Sequence, residues 1–109
     1  MPVQQLQPPE LRDWLGDASR RPPVLLDVRE PWEVEVCRID GSRTISMNNI
    51  GEECACLDPD TEMVLICHHG ARSMQVALFL ERVGFAKLHN LAGGVDAWAR
   101  LIDPAMAVY

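Results

Sequence analysis

The sequence predicts an α/β fold, a layered sandwich whose central, mainly parallel sheet is flanked by helices. Two apolar runs of strand length, "VLLDV" at Val24 to Val28 and "EMVLIC" at Glu62 to Cys67, read as strands buried on both faces. Segments with helical spacing separate these runs, and prolines or glycines stand where one character gives way to the other. No repeat, low-complexity tract or long linker intervenes, and 109 residues with 48% hydrophobic and 24% charged side chains suit one core. A single domain over residues 1–109 is expected, with residues 103–109 as a tail.

The elements follow in order. Val3 to Leu6 predicts a short edge strand, and "PPELRDWLGD" a helix with prolines at its entrance, Leu11, Trp14 and Leu15 at helical spacing, and Gly16 as its stop. After the strand at Val24 to Val28, Glu30 to Val36 predicts a short helix, "TISM" a weak strand, and Glu52 to Leu57 a helical turn. Behind Glu62 to Cys67 comes the strongest helix, Arg72 to Val83, with Met74, Val76, Ala77, Leu80 and Val83 as its apolar face and Gly84 beyond it. "KLHNL" predicts the last strand, and Gly93 and Gly94 turn the chain into a helix from Val95 to Ile102 that carries Trp98. Strands alternating with helices predict right-handed crossovers, and in such sheets sites gather at the carboxyl ends of the strands.

Charge narrows the function classes. A formal charge of −6 argues against nucleic-acid or anionic-membrane partners, whose affinity comes from clustered Lys and Arg. No apolar run approaches the ~18 residues of a membrane span and no export signal is written, so the cytoplasm is the expected location. There the four cysteines are expected to be thiols rather than a disulfide framework.

One of these thiols stands apart. In "VLICHHGARS", Cys67 ends a buried strand and the chain turns at once into a helix. Helix N-termini and inward-facing loop amides are electropositive, so they bind anions and favour a thiolate. Cys67 is therefore the expected nucleophile. Gly70 lets the loop turn without a Cβ, Arg72 adds a planar cation, and His68 and His69 add hydrogen-bond donors. A buried, inert cysteine would leave this company of residues unexplained.

"CHHGARS" resembles the Cys-x-x-Gly-x-Arg-Ser loop of the rhodanese domain family. "LLDVREPWE" is similar to the family's second strand and turn, "RIDGSRTIS" to its His-Ile-x-Gly-Ala-x-Asn-Ile-Pro segment, and "NLAGGVDAW" to its closing Leu-x-Gly-Gly-x-x-x-Trp, so the likeness covers Val3 to about Leu101. It implies a three-layer sandwich with about five strands, and a sulfurtransferase without metal or organic cofactor. Cys67 would hold a sulfane sulfur as a persulfide and pass it to cyanide, a thiol or a sulfur-relay protein. His68, His69, Gly70, Ala71, Arg72 and Ser73 would bind the donor, and their cationic character leans toward thiosulfate over mercaptopyruvate. Related phosphatases and arsenate reductases use a loop one residue longer than Cys67 to Arg72. A non-enzymatic binding or sulfur-carrier module is the alternative, and monomer and homodimer both stay open.

The chain departs from the family pattern at Cys37 and Arg38, which replace Gly-His, and at Thr44 and Ser46, which replace Asn and Pro. Cys37 is either a second thiol that resolves the persulfide or, the reading preferred, a packed one. One or both of Cys54 and Cys56 are expected as core residues of a short helix rather than as a redox pair or a metal site with the histidines. Asp27 is expected to anchor backbone and Arg29 to pair with a carboxylate such as Glu33, both within reach of the Cys67 loop. His89 reads as a surface or hydrogen-bonded residue. Trp98, more than Trp32, is the candidate for the pocket mouth, with core packing the default for both. Glu30, Glu33, Glu35, Glu52 and Glu53 read as a solvated face. The segment after Pro104, "AMAVY", would lie either on this domain or on a second copy.

Overall fold

The computed structural model describes residues 2–109. Five strands, β1 (Gln4–Leu6), β2 (Val24–Asp27), β3 (Arg43–Thr44), β4 (Met63–Ile66) and β5 (Leu88–Leu91), form one sheet in the order β1-β5-β4-β2-β3. Every pairing is parallel, and in the central one Leu25 faces Val64 and Asp27 faces Ile66. The central strands are the most apolar, as strands covered on both faces must be. In β4 every residue is buried.

Side chains alternate along the strands and supply two cores. Leu26, Val28, Met63, Leu65 and Cys67 join Val76, Ala77 and Leu80 on one side, where α4 (Ala71–Arg82) lies. Leu25, Val64, Ile66 and Leu91 join Leu11, Trp14, Val95 and Trp98 on the other, beneath α1 (Pro8–Leu15) and α5 (Gly94–Leu101). Helix, sheet and helix make the three expected layers. Cys67 continues the odd-numbered face of β4, which directs it beneath α4. Truncating a side chain such as Leu65, fully buried, would cost about 2–5 kcal/mol.

Local chemistry sets the boundaries. Pro8 and Pro9 open α1, and the Glu10 carboxylate accepts the Gln7 N–H at 2.8 Å. The same device opens α2 (Pro31–Val36), where Glu33 accepts the Glu30 N–H at 3.0 Å. The weak strand at "TISM" is displaced to Arg43–Thr44 because Ser46 opens a 3₁₀ turn at Met47–Asn49. Its pairing with β2 nonetheless runs on, since Ile45 and Met47 donate to Asp27 and Val28 carbonyls at 3.0 Å. The turn at residues 52–57 splits into α3 (Ile50–Glu53) and a 3₁₀ turn, Cys54–Cys56. Two apolar faces are narrower than the spacing predicts: α4 buries Ser73, Val76, Ala77 and Leu80 while Val83 is half exposed, and Leu15 is exposed at the end of α1.

No helix among the described residues is long and apolar enough to cross a membrane.

Candidate active site

The carboxyl ends of β2 and β4 lie side by side, because Asp27 and Ile66 are in register. The segment after β4 therefore lies next to the segment after β2. Cys67 is 1% exposed, and two donors meet its sulfur: the Gly70 N–H at 3.0 Å and the Ser73 hydroxyl at 3.2 Å. Gly70 has φ of 103°, a conformation L side chains avoid, and an added Cβ would come within 3.3 Å of the Gly93 nitrogen.

The loop is held from its other side by α5. Val95 and Asp96 donate their N–H groups to the carbonyls of Cys67 and His68 at 2.9 and 3.1 Å, so the loop satisfies the free donors of that helix. Gly94 makes this approach feasible, since a Cβ there would collide with both carbonyl oxygens. The Gly-Gly turn thus serves the loop and delivers Trp98 elsewhere. Trp98 is buried in the α1/α5 core and borders a cleft with Ile39 and Met106, away from Cys67. Its candidacy for the pocket mouth is corrected accordingly.

Asp27 and Arg29 are both fully buried and form a bidentate pair, with the Arg29 Nε at 2.9 Å from Oδ1 and Nη2 at 2.6 Å from Oδ2. The remaining N–H groups go to the Glu33 and Cys37 carbonyls and the Tyr109 hydroxyl, at 3.1, 2.7 and 2.9 Å. All five donors of this guanidinium are used. Burial opposes its charge, but the bonds to Asp27 and Tyr109 more than offset it and hold the group protonated. Asp27 also accepts the Arg29 N–H at 3.1 Å, the expected backbone anchor.

Glu33 corrects two expectations. Its side chain is 5% exposed and belongs to no solvated face, and its partner is Arg72, through two bonds of 2.8 and 2.7 Å. Arg29 takes Asp27 because the two flank Val28 at one strand end, which leaves Glu33 to face the loop. The Arg72 hydrogen bonds bring the Glu33 carboxyl down to about 2, and Glu33 in turn raises the guanidinium. Arg72 is thus no free cation, although three of its five N–H groups are left for a ligand.

Sequence reasoning passed over two further residues. Asn90 of β5, buried, accepts the Ser73 hydroxyl at 2.5 Å and donates to the Gly70 carbonyl at 3.2 Å, tying the glycine to the sheet. Tyr109 lies flat on His68, ring centroids 3.9 Å apart and planes 5° from parallel, and Trp32, 60% exposed, meets its edge. The segment after Pro104 therefore lies against this chain. Burial, then the nearby His69, lower the His68 pKa, and its Nε2 has no hydrogen-bond partner among the described residues. His69 is largely exposed, with Asp96 at 4.0 Å. Ala71 is exposed at the first turn of α4.

Among the described residues, one His/Cys/Asp/Glu group brings its ligand atoms within 4.8 Å, His68, His69 and Asp96, and Cys54 and Cys56 stand outside it. Cys54 is partly buried against the α4 core and Cys56 is exposed, so one of the two packs there. Cys37 is partly buried, with Arg29 Nη1 at 3.8 Å from its sulfur. His89 bonds Glu62 at 2.9 Å.

Comparison with known proteins gives one answer. The family model described as "Rhodanese-like domain" matches residues 7–101. The Mycobacterium tuberculosis protein named "Probable adenylyltransferase/sulfurtransferase MoeZ" is 41% identical over 106 residues, which cover 95% of this chain and 26% of that protein. The chain thus spans about a quarter of that relative's length. The thiosulfate sulfurtransferase GlpE of Pseudomonas aeruginosa is 29% identical over 94% of this chain and 88% of its own. The crystal structure of a rhodanese-related protein from Thermoplasma volcanium matches with a TM-score of 0.80 and 26% identity, over 90% of this chain and 92% of that one.

Proposed function

The chain belongs to the rhodanese-like domain family, and from that membership we propose that it is a sulfurtransferase whose nucleophile is Cys67. The observation that carries the reading is the convergence of the Gly70 N–H and the Ser73 hydroxyl on the Cys67 sulfur. Hydrogen bonds to an anionic sulfur are stronger than those to a neutral one, and preorganised donors cost nothing to reorient during reaction. The same donors serve a thiolate before transfer and a persulfide after it.

With thiosulfate as donor, the Cys67 thiolate attacks the outer sulfur. The new S–S bond forms as the old one breaks, and sulfite leaves with the electron pair. Cyanide then attacks the terminal sulfur of the persulfide, thiocyanate departs, and the thiolate returns. No proton is consumed, and covalent catalysis divides one difficult transfer into two easier ones. The three free N–H groups of Arg72 suit the sulfonate oxygens of the donor, while Glu33 keeps the guanidinium oriented. Asp27 and Arg29 support the loop from β2. The chemistry calls for no metal or organic cofactor. Four unpaired cysteines suit a reducing compartment, and we assign the protein to the cytoplasm as one domain acting on small donors and on thiol, cyanide or protein acceptors.

Incubation with thiosulfate should add one sulfur, read by intact mass, to the wild-type protein and none to Cys67→Ser, and cyanide should then release thiocyanate. Sulfur that loads but passes to no acceptor would mark a carrier module instead. No adduct from any sulfane donor would refute the reading.

A further inference from the structure

Tyr109 joins the two ends of the Cys67 loop. Its ring covers His68, the residue after the nucleophile, at 3.9 Å and 5° from parallel. Its hydroxyl donates to Glu33 Oε1 at 3.0 Å and accepts from Arg29 Nη1 at 2.9 Å. Glu33 in turn holds Arg72, the last residue of the loop, whose Nη2 donates to the same Oε1 at 2.7 Å. A single side chain from residues 103–109 therefore contacts the first flank of the loop directly and the second through one carboxylate. The nucleophile between them is almost fully buried.

The hydroxyl sits between a carboxylate and a guanidinium, so both of its hydrogen bonds are charge-assisted and hold the ring in place over His68. Met106 and Tyr109 are both of intermediate exposure, and both pack against the α1/α5 core.

Resting on the sulfur-transfer reading, we propose that Tyr109 is a specificity-determining residue: it walls one side of the approach to Cys67, admits slender donors such as thiosulfate, and disfavours bulky organic or protein persulfides. Its aromatic face does the excluding, and its hydroxyl sets the orientation of Glu33 and so of Arg72.

The test compares Tyr109→Ala, which removes both, with Tyr109→Phe, which removes the hydroxyl alone. In Tyr109→Ala the ratio of kcat/KM for glutathione persulfide to that for thiosulfate should rise at least tenfold. Tyr109→Phe should raise KM for thiosulfate by less than twofold, so that the ratio stays within about twofold of wild type. A second readout does not depend on turnover. Cys67, followed in its own peptide by mass spectrometry, should react with a fluorescein-sized maleimide at least tenfold faster in Tyr109→Ala, and with iodoacetamide less than threefold faster. Unchanged ratios in both readouts, in a variant with wild-type circular dichroism, would overturn the wall. Failure of the sulfur-transfer reading would show separately, as a wild type that accepts no sulfur while the alkylation contrast persists.

Discussion

The ends of β2 and β4 are neighbours, each with a turn and an arginine paired to a carboxylate, yet they are finished in opposite ways. At the end of β2, Arg29 is 0% exposed and all five of its donors are consumed by Asp27, two carbonyls and Tyr109. At the end of β4, the donors of the turn point at a sulfur, and Arg72, with 36% of its side chain exposed, spends two of five N–H groups on Glu33. A saturated cluster can only support; one with unspent donors can bind. Chemistry at these strand ends thus depends less on which residues are present than on which hydrogen-bonding groups are left over.

The sharpest way to break this contrast is to unseal the β2 end. Asp27→Ala would leave a buried guanidinium without its counter-charge, at a cost of about 3–5 kcal/mol. A thermal melt should fall by more than about 10 °C for a chain of this size. The corresponding change at the β4 end, Arg72→Ala, strips Glu33 of the bonds that hold its carboxyl charged and should cost about 2–3 kcal/mol while raising KM for thiosulfate. Equal losses would show that the two ends are not different in kind.

Next in size is the carboxylate that links the two ends. The Arg72 hydrogen bonds depress the Glu33 carboxyl to about 2 from an ordinary 4.5. A depressed carboxyl contributes its stability in full above pH ~4.5 and loses it as the pH falls toward 2. Its worth at pH 7 is on the order of 2–3 kcal/mol. Glu33→Gln should therefore unfold at lower denaturant than wild type at pH 7, and the gap should close as the pH is lowered from 5 to 2. A gap that persists at pH 2 would mean that packing, not charge, gives Glu33 its role.

Gly94→Ala follows, at about 2 kcal/mol, and its effect should fall more heavily on sulfur loading than on melting. A methyl group there meets the Cys67 and His68 carbonyls, so relief requires the loop itself to move. Gly16→Ala at the end of α1, where the nearest atom would be an ordinary 3.5 Å away, is the control that should leave loading unchanged.

What the sequence made legible follows the range of each interaction. The strands, the helices and the Cys67 loop are coded by residues close together in the chain, through periodicity and through a compact motif, and apart from the strand at "TISM" and the turn at residues 52–57 they stand where the pattern puts them. Glu33 and Arg72 are 39 positions apart and Glu33 and Tyr109 are 76 apart, and no local pattern marks either pair. A glutamate in a short, acidic helix reads as solvated, and only the turn of α2 decides that Glu33 faces inward. Trp98 takes the core position that is its default, and its alternative at the pocket mouth is not realised for the same reason: the Gly-Gly turn is visible in sequence, but the Cys67 and His68 carbonyls that it accommodates are not. Trp32, 60% exposed, departs from that default. Asn90 was hidden by position, as one of two adjacent polar residues in a four-residue strand, with nothing local to say which faces the loop.

The smallest expected effect bears on the comparison most directly. Ser73 has one proton and two acceptors within reach, Asn90 Oδ1 at 2.5 Å and the Cys67 sulfur at 3.2 Å. It can serve only one at a time. While Cys67 is a thiol, the hydroxyl can stay with Asn90 and accept the S–H; once the sulfur is anionic, the hydroxyl must turn to it. This is the leftover capacity that the saturated β2 end lacks. Ser73→Ala should cost about 1 kcal/mol in stability and slow sulfur loading about tenfold, the worth of one charge-assisted hydrogen bond. Asn90→Ala removes the competitor, frees the proton for the sulfur, and also releases the Gly70 carbonyl. If the proton matters more than the anchor, the initial loading rate of Asn90→Ala should stay above that of Ser73→Ala. The reverse order would make Asn90 chiefly the strut of the loop, and the β4 end closer in kind to the β2 end than its free donors suggest.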